Sequence, residues 1–529
     1  MRHAFLSVML LLATCVTAVQ AQLEEYDFDM GTASSPVETG YRRVTANTVY
    51  DATEGFGWTR PVQTDFDVNR EVPPEFLATH PNHACPVGDD VLRDGVEDDR
   101  EIAFVVDVPP GKYWCCAIVG GYQSPRHDLS VALNGNPVAI NIDAWGGIWG
   151  SQGGTPSKSV ATVAEPVDGQ MRFTFDFVRP KGDRWKEYTS QEPEGGRLWY
   201  LGENRNSVLA VRIRPHVEPP IRMENGKLVA NFGCPSLQSV AASFNAGSME
   251  AAIASVRRLD PKELDSLIVK GCLLDCITGS MSVEDRTLEI ELMGESIGVW
   301  ESVLDTLGSI SAKEAVPCKD IESGSVGGAR FPHPRLRILA RARLESARRY
   351  RQALVYVNMY NYAWAKEKTG LNCYHRYWAA YDLCGPFVPD DPLYFKSHLV
   401  RGRVAYWNGR EGGWKHCYDL ARAHFDTLRS EFPANPLVRI YSGERVPASP
   451  QYDEIDAPGA PKWARLQHEA VLRYMGVVRY WVQKRQSENG ELGGGWGDDV
   501  EILRTWTPAV LAVNDPIARQ GLIKIAEGV

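Results

Sequence analysis

Glu101-Ile102-Ala103-Phe104-Val105-Val106-Asp107-Val108, then Pro109-Pro110-Gly111, then Lys112 to Val119: a β-rich run, a turn and a second β-rich run follow one another without interruption. Branched and aromatic residues favour the pleated, half-buried surface of a strand, and the Pro-Pro-Gly step reverses the chain. The same alternation extends outward in both directions. Leu129 to Leu133, Met171 to Val178 and Val208 to Ile213 are further β-rich runs, and Asn134-Gly135-Asn136 is another turn. Residues 24–215 therefore read as one all-antiparallel β-sandwich.

From about Asn231 the apolar period changes from two to about 3.6 residues, the repeat of a helix. Ser248 to Leu259, Pro261 to Leu274, Pro334 to Lys368, His375 to Leu383, Tyr394 to Arg403, Trp414 to Phe432 and Ala460 to Gln486 read as helices. Asp260-Pro261 has the form of a cap and first turn. Residues 216–333 are assigned as a linker with the first helices, and residues 334–529 as a helical region. Paired helices of this kind build either an α-solenoid or part of an (α/α) toroid, and no strict repeat favours the solenoid.

The most unusual local chemistry follows the Ala460 to Gln486 helix, in Asn489-Gly490-Glu491-Leu492-Gly493-Gly494-Gly495-Trp496-Gly497-Asp498-Asp499-Val500-Glu501. Three consecutive glycines give up chain entropy and pack nothing, so they mark a sharp turn or a close approach to another molecule. Trp496 offers a flat apolar face, and Asn489, Glu491, Asp498, Asp499 and Glu501 offer polar groups beside it. That combination suits a sugar ring and the paired carboxylates of glycoside hydrolysis. Asp498 and Glu501 are three apart and share a face if the segment is helical. Two other uses stay open: calcium binding through hard oxygen ligands, with calcium as an optional cofactor, and helix capping ahead of Val500.

Composition narrows the classes. A net charge of −10 over 529 residues gives no electrostatic footprint for nucleic acid. The Arg348, Arg349, Arg351 cluster reads as a solvated helix face. Met1-Arg2-His3, the apolar run Ala4 to Val19 and the small residue Ala21 form a secretory signal peptide, residues 1–21, too short to span a membrane. The expected location is secreted or periplasmic. Of the eleven cysteines, Cys15 lies in this leader. The others show no zinc spacing, so no metal ligands are assigned, and several are expected as buried thiols. Cys115 and Cys116, adjacent in a strand, should face opposite ways. No lipase, zincin, nucleotide or nicotinamide motif is present.

Phe28-Asp29-Met30-Gly31-Thr32, Gly40-Tyr41-Arg42-Arg43-Val44-Thr45, Tyr50, Gly55-Phe56-Gly57-Trp58, Asp90 to Val96 and Pro109 to Tyr113 together resemble the galactose-binding-like β-sandwich of secreted pectin-active enzymes, rhamnogalacturonan acetylesterases among them. The resemblance covers about a third of the chain. No Gly-Asp-Ser block follows Pro215, so it implies the accessory domain and not the esterase. Trp145, Trp149, Trp185, Trp199 and Tyr200, in loop-like, glycine-rich stretches, are sandwich rings that could stack on a glycan, Trp145 and Trp149 foremost, and core filling is the alternative use of such rings. The helix and loop from Ala460 onward resemble those of (α/α) toroid glycosidases and polysaccharide lyases. In the lyases an asparagine neutralises a uronate while histidine and tyrosine move protons, which implies such roles for Asn372, Tyr374 and His375. The chain ends inside an apparent helix, too early for a full toroid, and reads as part of a longer protein. The expected function is cleavage of glycosidic bonds in an extracellular polysaccharide, hydrolysis slightly ahead of β-elimination. A non-catalytic glycan-binding or scaffold protein is the rival. The expected partner is a polysaccharide or oligosaccharide.

Overall fold

Fourteen strands come first among the described elements and helices follow. The computed structural model describes residues 24–67, 92–121, 126–144, 157–177, 205–224, 227–230, 235–259, 264–309, 333–358, 373–412, 415–446, 459–492 and 506–528. The strands are β1 (Tyr26–Met30), β2 (Arg42–Val44), β3 (Phe56–Trp58), β4 (Thr64–Asp67), β5 (Asp94–Asp98), β6 (Ile102–Asp107), β7 (Tyr113–Gly120), β8 (Arg126–Leu133), β9 (Asn136–Ala144), β10 (Ser157–Ala164), β11 (Gln170–Phe177), β12 (Asn206–Pro215), β13 (Ile221–Glu224) and β14 (Lys227–Ala230).

Two sheets form the sandwich. One runs β10-β7-β12-β1-β2, with β5 also on β12 and β4 on β5; the other runs β3-β6-β11-β8-β9. Their facing sides share one core, in which Phe28 of the first sheet meets Phe104 of the second edge to face, with ring centroids 5.1 Å apart. The Pro109-Pro110-Gly111 turn is pinned by the hydroxyl of Tyr113, which donates to the Pro109 carbonyl at 3.0 Å. Asn134 and Gly135 both take positive φ, 50° and 80°, as a two-residue hairpin turn between β8 and β9 requires. Cys115 joins the inter-sheet core and Cys116 a cluster on the opposite face.

One expectation is corrected. The sandwich is not all-antiparallel: β1 and β2 pair in parallel, Phe28 with Arg42 and Met30 with Val44. The connection 31–41 is long enough to carry the chain back to its starting end before it re-enters the sheet, which a tight hairpin cannot do.

The helices are α1 (Pro235–Asn245), α2 (Met249–Arg257), α3 (Leu264–Gly279), α4 (Arg286–Ser309), α5 (His333–Asn358), α6 (Cys373–Leu383), α7 (Tyr394–Gly412), α8 (Lys415–Glu431), α9 (Pro436–Tyr441), α10 (Lys462–Tyr480), a π-helical turn (Trp481–Arg485), α11 (Thr507–Leu511) and α12 (Pro516–Gly528). A β-sheet-rich N-terminal region thus precedes an α-helical one. Contacts divide the chain into two compact units, residues 1–354 with 378–431, and residues 355–377 with 432–529.

In the first unit the β13-β14 hairpin and α1 to α5 bury a second core around Trp300, Leu273 and Leu336. Buried polar groups lace it. Asp275 of α3 accepts from the Ser296 hydroxyl at 2.5 Å and the Trp300 indole at 3.1 Å. Glu289 of α4 pairs with Lys396 of α7 at 2.5 Å and accepts from the Tyr350 hydroxyl at 3.1 Å. The sandwich is tied to this helical layer by Arg214 to Glu345 at 2.8 Å and Lys158 to Asp382 at 3.2 Å. The arginine cluster on α5 is not uniformly solvated: Arg348 is exposed and pairs with Glu301, whereas Arg349 turns to Glu345.

In the second unit α10, α11 and α12 close on Met475, Val478, Leu492, Trp506, Ala509, Ala518 and Ile525. Asp515 caps α12, its carboxylate accepting from the backbone of Ile517 and Ala518, and it pairs with Arg479 at 2.5 Å. No described helix is long and apolar enough to cross a membrane.

Candidate functional site

The carboxylate-rich loop grows out of the π-helical turn at the end of α10. Such turns interrupt regular helices and occur often at functional sites. Arg485, in the last position of the turn, donates to the side-chain oxygen of Asn358 at 2.6 Å and to its carbonyl at 3.2 Å. Gln486 then ties its own turn to α12, its amide donating to the carbonyls of Gly490 at 3.0 Å and of Gly521 in α12 at 2.9 Å.

Ser487 to Leu492 forms a tight turn. The backbone N–H of Ser487 donates to the Glu491 carbonyl at 2.9 Å, and its hydroxyl donates to the same carbonyl and to the Asn489 side chain. Asn489 accepts from the Glu491 N–H at 3.3 Å, the self-capping use of asparagine in a turn. Gly490 has φ +91°, and a Cβ there would lie 2.4 Å from the Lys524 carbonyl oxygen, so only glycine fits against α12.

Glu491 is fully buried and Leu492 is a core residue of the second unit. Trp506, the first described residue after the loop, sits in the same cluster. Leu492 and Trp506, the described residues that flank 493–505 in the sequence, thus share one buried cluster. Trp496, Asp498, Asp499 and Glu501 belong to that segment and lie outside the described residues. So do Trp145, Trp149, Trp185, Trp199, Tyr200 and Asn372. The backbones of Tyr374 and His375 start α6, and their side chains lie outside the described residues.

Of the expected set, the described structure brings together Asn489 and Glu491 alone, in one turn. The residues that hold this turn, Gln486 and Ser487, and the cluster residue Trp506 were not singled out from sequence. The Ser-x-Asn-Gly pattern was the available signal for the first part; Gln486 and Trp506 act through partners remote in the chain, which no local pattern announces. Among the described residues no group of three or more His, Cys, Asp or Glu is placed to hold a metal ion.

A histidine pair that sequence reading left unassigned lies in the first unit. His424 of α8 meets His398 of α7, Nδ1 to Nδ1 at 3.1 Å, and its other ring nitrogen contacts the Tyr381 hydroxyl at 2.8 Å. Burial first, then the nearby Arg401 charge, pushes His398 down to about 3 and His424 well below its ordinary value. Both imidazoles are therefore neutral packing and hydrogen-bonding groups.

The sequence matches no protein-family model and no curated protein. Among solved structures the chain is similar to the protein YXIM of Bacillus subtilis, at 17% identity and a TM-score of 0.23, over 74% of this chain and 99% of that one. It is also similar to a family 35 carbohydrate binding module from Clostridium thermocellum, at 14% identity and a TM-score of 0.15, over 23% of this chain and 78% of the module. A third likeness is to an exo-β-1,3-galactanase from Phanerochaete chrysosporium, at 16% identity and a TM-score of 0.13, over 23% of each chain. Likenesses at these scores assign no family.

Proposed function

We propose that this chain is a secreted carbohydrate-active enzyme that cleaves glycosidic bonds of an extracellular polysaccharide, with hydrolysis ahead of β-elimination. One observation carries the reading: Leu492 and Trp506, the described residues on either side of the acid-bearing stretch 493–505 in the sequence, belong to a single buried cluster. A site whose supporting residues are held by packing can keep two carboxylates at a working distance.

In this reading Asp498 and Glu501 divide the chemistry. One protonates the leaving glycosidic oxygen while the other attacks the anomeric carbon or activates a water, and their separation selects the outcome, about 5–5.5 Å for retention and about 6.5–9.5 Å for inversion. Asp499 and the buried Glu491, as neighbouring carboxylates, would favour the protonated form of the general acid, and Trp496 and Asn489 would bind the ring. In the β-elimination variant Asn372, Tyr374 and His375 take the roles that the lyase resemblance implies.

A second reading, a glycan-binding scaffold using Trp145 and Trp149, is favoured by α10, which exposes Trp463, Leu466, Val477 and Tyr480. Positions 463, 466, 477 and 480 fall on one helical stripe, as on a surface that meets a partner. Incubating the full chain with a panel of pectic and other acidic polysaccharides separates the readings. New reducing ends without the ultraviolet band of an unsaturated uronide are expected. Release accompanied by that band supports elimination, and binding without release supports the scaffold.

A further inference from the structure

α10 packs on the second unit through one side. Val471, Tyr474, Met475 and Val478, with Trp481 and Val482 of the π-helical turn, enter the core of that unit. The side turned to solvent is not the polar one that a surface helix presents to water. Trp463, Leu466, Val477 and Tyr480 are 45% to 68% exposed, and the exposed Ala470 lies between them. Steps of three and four residues place all five on one stripe, about 26 Å long at 1.5 Å per residue. Of the fourteen exposed large apolar side chains among the described residues, nine lie in this unit, the smaller of the two, so the exposure is concentrated there. Single exposed apolar residues need no partner, whereas a continuous stripe of them marks a contact surface.

Charge says what covers the stripe. From Lys462 to Arg485 the helix and its turn carry six Lys and Arg against one acid, an excess of five positive charges in a chain whose net charge is −10. That acid, Glu469, is held by Arg473 at 2.7 Å and is largely shielded, while the arginine is half exposed within the stripe. Lys462 and Lys484, both exposed, stand beyond its two ends. A second copy of the chain would set like charges against one another, which opposes association. A partner helix would meet Arg473 in the middle of the seam, where dry helix pairs place an apolar side chain. An anionic bilayer surface satisfies both conditions. Tryptophan and tyrosine rings favour the depth of the lipid head groups, and long Lys and Arg stems lie along apolar surface while their charges reach phosphate.

We infer that the α10 stripe is a docking surface for an anionic phospholipid bilayer. The helix lies in the plane of the head groups, with Trp463, Leu466, Val477 and Tyr480 toward the acyl chains and Lys462, Arg473 and Lys484 at lipid phosphates. This is attachment from one side of the membrane; no described helix is long and apolar enough to cross it. The inference names an occupant for the stripe that the scaffold reading leaves open, and it holds whether or not the chain cleaves glycan.

Flotation of the full chain with vesicles of phosphatidylcholine alone, and with about one quarter phosphatidylglycerol, tests it. Partition onto the anionic vesicles is expected to be at least about 10-fold stronger and to weaken as salt rises. Val477→Glu places a carboxylate in the stripe at an exposed helical position, and is expected to reduce partition at least about 10-fold. Lys462→Gln with Lys484→Gln removes the flanking charges, and is expected to cut the preference for anionic vesicles at least about threefold. Both variants should melt within a few degrees of wild type and act on soluble polysaccharide as it does. No binding to the anionic vesicles, equal binding to the two compositions, or binding that survives Val477→Glu overturns the inference. So does a wild-type dimer in light scattering that Val477→Glu turns into a monomer, which assigns the stripe to a second copy. A chain that binds these vesicles and cleaves nothing overturns the catalytic reading alone, and one that cleaves glycan without binding them overturns this surface alone.

Discussion

Asp94 sits on β5 with 1% of its surface exposed, and Gly31 packs so closely on its carboxylate that a Cβ there would lie 2.0 Å from Oδ2. Burial, with smaller pushes from Asp29 and Asp67, raises its carboxyl to about 8 against the hydrogen bond from Ser35. A folded value above the ordinary 3.8 means that the protonated form stabilises the fold: the contribution is full below about 3.8 and is lost as the pH rises through about 8. Asp94→Asn is therefore expected to raise the melting temperature at pH 8, by about 1–3 kcal/mol of unfolding free energy, and to change little near pH 4. Thermal melts at the two pH values check this. Asp94 falls inside the stretch that carries the sandwich resemblance, yet its sequence neighbours do not reveal its state. That state depends on Ser35, Asp29 and Asp67, which other strands and loops deliver.

Among the elements, α4 shows why legibility fails. Its buried positions 289, 292, 293, 296, 300, 303 and 307 follow the helical period, but two of them are Glu289 and Ser296. A stripe broken by polar residues does not read as amphipathic, and only the partners Lys396, Tyr350 and Asp275 explain their burial. The start of α4 did carry a signal: the Asp285 carboxylate accepts from the backbone of Thr287 and Leu288. Asp285→Ala should cost about 1 kcal/mol in urea denaturation. The turn at the root of the candidate loop is the sharper case. Gly490→Ala combines positive φ with a clash against α12, and is expected to destabilise the second unit by roughly 2–4 kcal/mol, read by hydrogen exchange of α10 and α12. If that frame positions the carboxylates, glycan cleavage falls in the same variant.

At the scale of the whole molecule, the change from strand to helix periodicity near Asn231 foretold a β-sheet-rich region followed by helices. Pairs such as His216 with Asp390, 174 residues apart, were beyond reach because only the fold brings them together. The same holds for the balance of stability against pH. The folded values of His398 and His424 lie below the ordinary 6.5, so their neutral forms stabilise the protein above about 6.5, and that contribution drains away as the pH falls below it, through about 3 for His398. Each group weakens the fold by up to about 1.4 kcal/mol per pH unit in this window. The stability advantage of wild type over His424→Asn is expected to shrink steadily from pH 6.5 to pH 4, followed by urea midpoints; a constant difference contradicts the buried neutral pair.

The central claim is that the acids of segment 493–505 cleave glycosidic bonds, and reducing-end kinetics test it most directly. The full chain and its Asp498→Ala, Asp499→Ala double variant would be compared on one polysaccharide, with matched melting temperatures as the control for folding. The account predicts a loss of at least about 100-fold in kcat/KM, close to 3 kcal/mol of transition-state stabilisation, in a variant that still binds the polymer. Equal rates in the two proteins would contradict it.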